Sequence, residues 1–226
     1  MIKVVVTGSA KGIGKSLVQK IDFELSRQPE DYMIYGIDVE KSNLDKCLRN
    51  YTHIIADVGE MYELPDIEDV NYLVNNAGVQ NSKDDIRTNL IGTINCTNKY
   101  GIQPSIRSIV NVSSVSAHNG AEFPEYVASK GGMLSYTVAV AKMIAKFGAT
   151  CNSISPGGVI TDLNNIVMND KDKWAAIMEM TPLKKWATRE EIAEWIYFML
   201  FVNKSMTGQD VLIDNGEMFN HTFVWD

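Results

Sequence analysis

The sequence predicts an α/β fold: a doubly wound parallel sheet of about seven strands, with helices on both faces. Two observations carry this. Short, near-continuous apolar runs rich in β-branched residues alternate with segments of helical period. No Pro/Gly/Ser-rich linker breaks the alternation, so residues 1–226 read as one domain.

The first run, "KVVVTG", is a buried strand. Ile13, Leu17, Ile21 and Leu25 then recur every four residues, which makes one face of a helix. "YMIYGID", "THIIAD", "NYLVNNAG" and "RSIVNVSS" follow as strands two to five, and "ATCNSISPG" and "QDVLIDNG" as the last two. Residues 182–202 are expected to be helical behind Pro182, with "REEIAEWIYFML" supplying the apolar face.

Composition narrows the function. A net charge of −7 disfavours nucleic acid and anionic membrane as partners, because both select a basic face. The three cysteines are scattered and no Cys/His cluster suggests a metal, so the thiols read as reduced and the protein as cytoplasmic. The run "WIYFMLFV" is too short to span a bilayer.

The first strand ends in "TGSAKGIG", which places Gly8, Ser9, Lys11, Gly12, Ile13 and Gly14 between a strand and a helix. A dinucleotide site needs that context. Gly8 permits the tight turn, the later glycines let backbone approach a pyrophosphate, and the helix N-terminus supplies N–H donors. The second strand ends at Asp38, 24 residues past Gly14, where a carboxylate can accept from an adenine ribose diol. Asp57, beside Val58 in "ADV", is placed to reach the adenine. In "EYVASK", Tyr126 and Lys130 stand one helical turn apart. That spacing is either a solvated helix face or an acid beside the cation that tunes it.

Taken together, these stretches resemble the short-chain dehydrogenases/reductases. "TGSAKGIG", "NNAG" (75–78), "NVSS" (111–114), "YVASK" (126–130), "SPGGVIT" (155–161) and "MTGQDVLIDNG" fall in that family's order. The resemblance implies a single Rossmann-type domain using NAD or NADP. It implies Tyr126 as acid/base, Lys130 as its partner, Ser114 as the hydroxyl that polarises a carbonyl, and Asn89 as the fourth member, holding a water that links Lys130 to solvent. It places Asn75, Ala77, Gly78, Pro156, Gly157, Val159 and Thr161 along the cofactor.

The chemistry agrees. Carbonyl reduction needs a hydride, which nicotinamide supplies, and a proton. A free phenol has a pKa near ~10, and a nearby ammonium is expected to lower it. Ser114 can donate to the developing alkoxide. Pro124 suits the first turn of the helix carrying Tyr126 and Lys130. Gly131 and Gly132, costly inside that helix, read as close backbone packing against cofactor or a partner subunit. NAD is favoured over NADP, because Asp38 accepts ribose hydroxyls and repels a 2′-phosphate. Lys11 argues the other way, since a basic residue there contacts that phosphate in relatives.

Two intervals are short: 17 residues separate Asp57 from Asn75, and 13 separate Asn75 from Asn89. One or both helices expected there should be truncated. Residues 163–181 are expected to form a lid over the site. Its Met168, Trp174, Ile177, Met178 and Met180 either face an apolar substrate or pack on the lid's own base. His118 either touches substrate or is solvated, and Phe223 and Trp225 either close a neighbour's site or cover core. A homodimer or homotetramer is expected, with Leu134, Val138 and Ala141 as a second apolar face.

The function expected is hydride transfer between a nicotinamide cofactor and an alcohol/ketone pair. The alternatives are a nucleotide-sensing protein of the same fold without chemistry, and a sugar-nucleotide epimerase or dehydratase. The second needs a substrate domain that 226 residues do not supply.

Overall fold

The computed structural model describes residues 1–219, with the side chain of Leu163 left aside. Phe223 and Trp225 lie outside the described residues. Seven parallel strands form one sheet in the order β3-β2-β1-β4-β5-β6-β9. They are β1 (Ile2–Thr7), β2 (Tyr32–Asp38), β3 (Tyr51–Ile55), β4 (Tyr72–Asn75), β5 (Ser108–Val112), β6 (Thr150–Pro156) and β9 (Asp210–Ile213). All seven expected strands are present. Val4, Val5 and Val6 of β1 are wholly buried, as a strand covered on both faces requires.

Helix α1 (Gly12–Leu25) packs its Leu17, Ile21 and Leu25 on one face of the sheet. Beside it lies α7 (Arg189–Tyr197), which continues through a wide π turn over Phe198–Val202. The opposite face carries a helical stretch from Ile86 to Gly101, made of π turns around α2 (Gly92–Cys96), together with α4 (Pro124–Ile144). The short helix α3 (Ser116–Asn119) precedes α4. The segment between β6 and α7 holds β7 (Val159–Ile160), α5 (Asn165–Met168), α6 (Lys171–Met180) and β8 (Ala187–Thr188), with β7 pairing β8.

The sequence misplaces one helix start. Pro182 does not open the helix to 202; it follows α6. The helix begins at Arg189, because Thr188 and Glu191 form a reciprocal capping box. The first short interval loses its helix and the second is helical only from Asp85 onward. A single 3₁₀ turn, Met61–Glu63, stands between β3 and β4, and no helix forms over 76–84. Pro65 and the positive φ of Asp69 break the first of these intervals. Tyr100, wholly buried, fills the space beneath it and donates its hydroxyl to the Pro65 carbonyl at 2.8 Å.

The inner glycines of α4 differ in their surroundings. A Cβ at Gly132 would stand 2.8 Å from Leu90, so this glycine serves packing within the chain, while Gly131 has almost open space around it. Ala141 is likewise buried inside the chain and Leu134 is half-buried, which leaves Val138 as the exposed member of the expected face. Among the described residues no helix is long and apolar enough to cross a membrane.

Candidate active site

The strand order reverses between β1 and β4, and the crevice there, at the C-terminal strand ends, is where open α/β sheets take ligands. The glycine turn lies on its rim. Gly8 has φ +67°, and a Cβ on it would fall 2.8 Å from the Ala77 Cα, so the turn closes directly on the end of β4. Gly12, at φ +56°, has only a Thr161 methyl within 4 Å of that position. The two loops therefore face each other across open space. Helix α1 has no side-chain cap and no acid in its first turn, so its leading N–H groups stay available to an anion. These features fit a dinucleotide pyrophosphate. Ile13 packs inward on the core, which orients the helix start.

At the far end of the turn, Asp38 accepts the Ala10 N–H on Oδ2 and the Glu40 N–H on Oδ1, each at 2.9 Å. Both oxygens are fixed and each keeps a lone pair for a ribose diol. Lys11 does not neutralise Asp38 by contact; its ammonium pairs with Glu40. Asp57 lies two residues beyond the end of β3 and is tied to Arg87 at 2.9 Å and to the Gly59 N–H at 2.8 Å. Val58 is buried against Gly92, so its side chain belongs to the core rather than to a cofactor face. Asn75 is also turned inward. Its amide donates to Thr97 and Asn111 beneath the sheet, so its side chain does not line the cleft.

The other half of the crevice gathers the catalytic candidates. Lys130 is almost fully buried, and its ammonium donates to the Val112 carbonyl at 2.8 Å. It sits 5.7 Å from the Tyr126 ring centre. A Cβ on Gly78 would lie 3.4 Å from the same ammonium, so Gly78 completes the wall. Ser114 is buried; it accepts the Ser116 N–H and donates its hydroxyl to Ser116 Oγ, each at 3.2 Å.

The electrostatics differ from expectation. Burial pushes the Tyr126 phenol up to about 12; Ser114 opposes this, while Glu122 and Asp85 add to it. Burial pulls Lys130 down to about 8, against Asp85 and Glu122. Desolvation therefore outweighs any lowering of the phenol by Lys130, whose ammonium is turned to Val112. Asn89 is firmly tied within the chain. Both amide hydrogens are used, on the Val79 carbonyl and on Ser129 Oγ, each at 2.9 Å, and Oδ1 accepts the Val79 N–H. The side chain clamps the 76–80 loop to α4, and only its oxygen keeps capacity for a water. Ser129 passes that clamp to the Tyr126 carbonyl at 2.7 Å. Ser113 donates to the Lys130 carbonyl at 2.9 Å; it and Ser129 lie within "NVSS" and "YVASK", yet residue type and spacing there carry no signal of these positioning bonds.

On the substrate side, Pro156 ends β6, the Gly157 N–H donates to Ile213, and Val159 is buried in β7. Thr161 lines a cleft of about 200 Å³ with Met168 and Arg189. Trp174 packs edge-on against Trp186 at 5.0 Å, so at least this lid residue covers the lid's own base. His118 is exposed, as the solvated alternative expects, and pairs with Asp210 at 2.8 Å.

Comparison with known proteins agrees with this arrangement. The family model described as enoyl-(acyl carrier protein) reductase matches residues 53–217. The 3-oxoacyl-[acyl-carrier-protein] reductase of Staphylococcus epidermidis is 26% identical, over 93% of this chain and 96% of that protein. L-rhamnose 1-dehydrogenase (NADP(+)) of Thermoplasma acidophilum is 24% identical over 96% of each. A solved Agrobacterium tumefaciens structure with bound NADP, provisionally named a 2-deoxy-d-gluconate 3-dehydrogenase, superimposes with a TM-score of 0.85 at 22% identity, over 96% of each chain. The chain belongs to the short-chain dehydrogenase/reductase family.

Proposed function

We propose that the protein is an NAD-preferring oxidoreductase in which Tyr126 protonates a carbonyl oxygen as a ketone is reduced to an alcohol. The observation that carries this is geometric: Tyr126 is half-buried, with the Lys130 ammonium 5.7 Å from its ring centre. A phenol is protonated at neutral pH and can give that proton to a developing alkoxide; burial, which raises its pKa, opposes the transfer, and a nearby cation favours it. Ser114 donates a second hydrogen bond to the same oxygen and so stabilises its charge. The bound nicotinamide supplies the hydride. Lys130, largely cationic below its pKa of about 8, favours the phenolate left behind. Nothing in the site favours a binding protein without chemistry.

The preference for NAD rests on Asp38, whose fixed carboxylate is satisfied by a diol and repels a phosphate. Glu40 supports it, because it holds the one cation of the turn that relatives turn toward a 2′-phosphate. The Thermoplasma relative's name carries NADP(+), so the assignment needs direct measurement. The test follows nicotinamide absorbance with NADH and NADPH against acyl, steroid, sugar and quinone carbonyls, then repeats both cofactors with Asp38→Ser. Turnover favouring NADH, with the ratio lowered by the substitution, is expected. Silence across the panel, or a ratio that Asp38→Ser leaves alone, refutes the respective part.

The helices 165–180 act as the substrate lid. A homodimer or homotetramer is proposed, with the exposed apolar residues Val138 and Met143 of α4 and Ile91 as candidates for the contact. Light scattering that finds only a 25.2 kDa species excludes it.

A further inference from the structure

The end of the chain carries a carboxylate that no role above uses. Glu217 opens the 3₁₀ turn Glu217–Phe219 and is half-buried. Its Oε2 accepts the Gly158 N–H at 3.3 Å, and its Oε1 lies 3.3 Å from Thr181 Oγ1. Gly158 belongs to the turn that leads to Val159 and Thr161. Thr181 is wholly buried and ends α6. One side chain therefore touches both the nicotinamide-side turn and the base of the lid.

Both glycines of that turn are explained by what presses on them. A Cβ at Gly157 would stand 2.6 Å from Glu217 Oε2, and one at Gly158 would stand 2.0 Å from the Trp186 ring. The platform beneath Glu217 is rigid as well. Asp214 accepts the Gly216 and Met218 N–H groups, and the Leu183 N–H donates to Asn215.

We propose that Glu217 is a positioning residue that clasps the Gly157–Gly158 turn to Thr181, so that the cofactor site and the lid are set as one unit. This deepens the oxidoreductase reading and rests on it. The Thr181 hydroxyl lies 2.8 Å from the Ile177 carbonyl and 3.3 Å from Glu217 Oε1, and can donate to either. Burial raises the Glu217 pKa and Asp214 adds a smaller push, while hydrogen bonds from Gly158, Thr181 and Trp186 oppose it. Glutamine at 217 keeps an oxygen that accepts from Gly158 and a polar group that meets Thr181. Alanine keeps neither.

The experiment compares wild type with Glu217→Ala, Glu217→Gln and Thr181→Val. Hydrogen exchange on the protein without added cofactor reads the clasp directly. Tryptophan fluorescence gives the NADH Kd, and steady-state kinetics separate KM from kcat. Glu217→Ala is expected to speed exchange in 157–161 and 171–181 and to raise the NADH Kd about tenfold and the carbonyl KM about fivefold. Its kcat at saturation should stay within about threefold of wild type. Glu217→Gln should stay within about twofold throughout. Thr181→Val should speed exchange in 171–181 alone. Unchanged exchange and Kd in Glu217→Ala, glutamine as damaging as alanine, or a fall in kcat with Kd and KM intact overturns the clasp. If Glu217→Ala does not fold, unchanged exchange in 171–181 of Thr181→Val overturns it instead. Wild type that binds neither NADH nor NADPH overturns the underlying reading, which is a distinct result.

Discussion

At one end of the cleft Lys130 is almost fully buried and donates to a main-chain carbonyl; at the other, Lys11 is 62% exposed and pairs with a Glu40 that is 54% exposed. The catalytic half is held by buried hydrogen bonds running from Val79 through Asn89 and Ser129 to Tyr126. The adenosine half is held largely by ion pairs in water, with Arg87 bridging Asp57, Glu60 and Asp84. Buried bonds fix geometry closely but desolvate the groups they hold, which is why the pKa values of Tyr126 and Lys130 are displaced. Exposed pairs cost little and are screened by salt. The two halves should therefore break differently.

The largest effect belongs to the buried half. Tyr126→Phe keeps the ring and removes only the proton donor. Turnover is expected to fall by about 10³-fold or more, with the cofactor Kd within about twofold. Residual turnover within about tenfold of wild type removes Tyr126 from the mechanism.

Lys130→Met should separate activity from stability. Activity is expected to fall at least about 100-fold, while the folded state gains roughly 1–3 kcal/mol at pH 7, because a buried charge is replaced by an apolar chain of similar length. The sign with pH follows from the lowered pKa. Between about 8 and the ordinary 10.5, the unfolded chain holds a proton that the folded chain has lost. Wild-type stability from this group therefore rises with pH through that window, and below it the full burial penalty stands. Melting curves at pH 7 and pH 10 should show the gap between variant and wild type closing. A variant less stable than wild type at pH 7 shows that the Val112 bond outweighs the burial.

The same contrast explains what the sequence reveals. β-branched runs and glycine turns act locally, so all seven strands and the contacts of Gly8 and Gly12 are legible from composition and period. Tyr126 and Lys130 are legible as a spacing, yet the direction of the tyrosine shift is not, because desolvation depends on what the whole fold places over the ring. Asn75 and Val58 sit in cofactor motifs but point into the core, Asn75 by the pleat of β4 and Val58 by the turn after β3, not by residue type. Glu217 left no sequence signal, because its partners lie 36 and 59 residues away.

On the exposed half, Arg87→Gln removes three carboxylate contacts, two of which, to Asp57 and Glu60, tether the helix-free loop after β3. A loss of about 1 kcal/mol is expected, shrinking by half or more at high salt. Urea titrations at about 0.05 M and 1 M NaCl check this, and equal losses at both would mean that Arg87 acts by packing against Gly59 instead.

The smallest effect is expected at Glu40. Two consequences of Glu40→Gln point the same way: a negative charge beside the ribose end is removed, and Lys11 is released toward an incoming 2′-phosphate. Each acts in water, where unit charges about 4 Å apart interact by only about 1 kcal/mol, and the lost pair was worth about 0.2–1 kcal/mol. NADPH should therefore bind about three- to fivefold more tightly, with NADH within about 1.5-fold. Adding Lys11→Met should cancel most of the gain, because then no cation is left to release. Raising salt toward 1 M, where the screening length falls to about 3 Å, should flatten the difference. If Glu40→Gln leaves both cofactors unchanged at low salt, the pair has no part in cofactor choice, and Asp38 alone sets the preference.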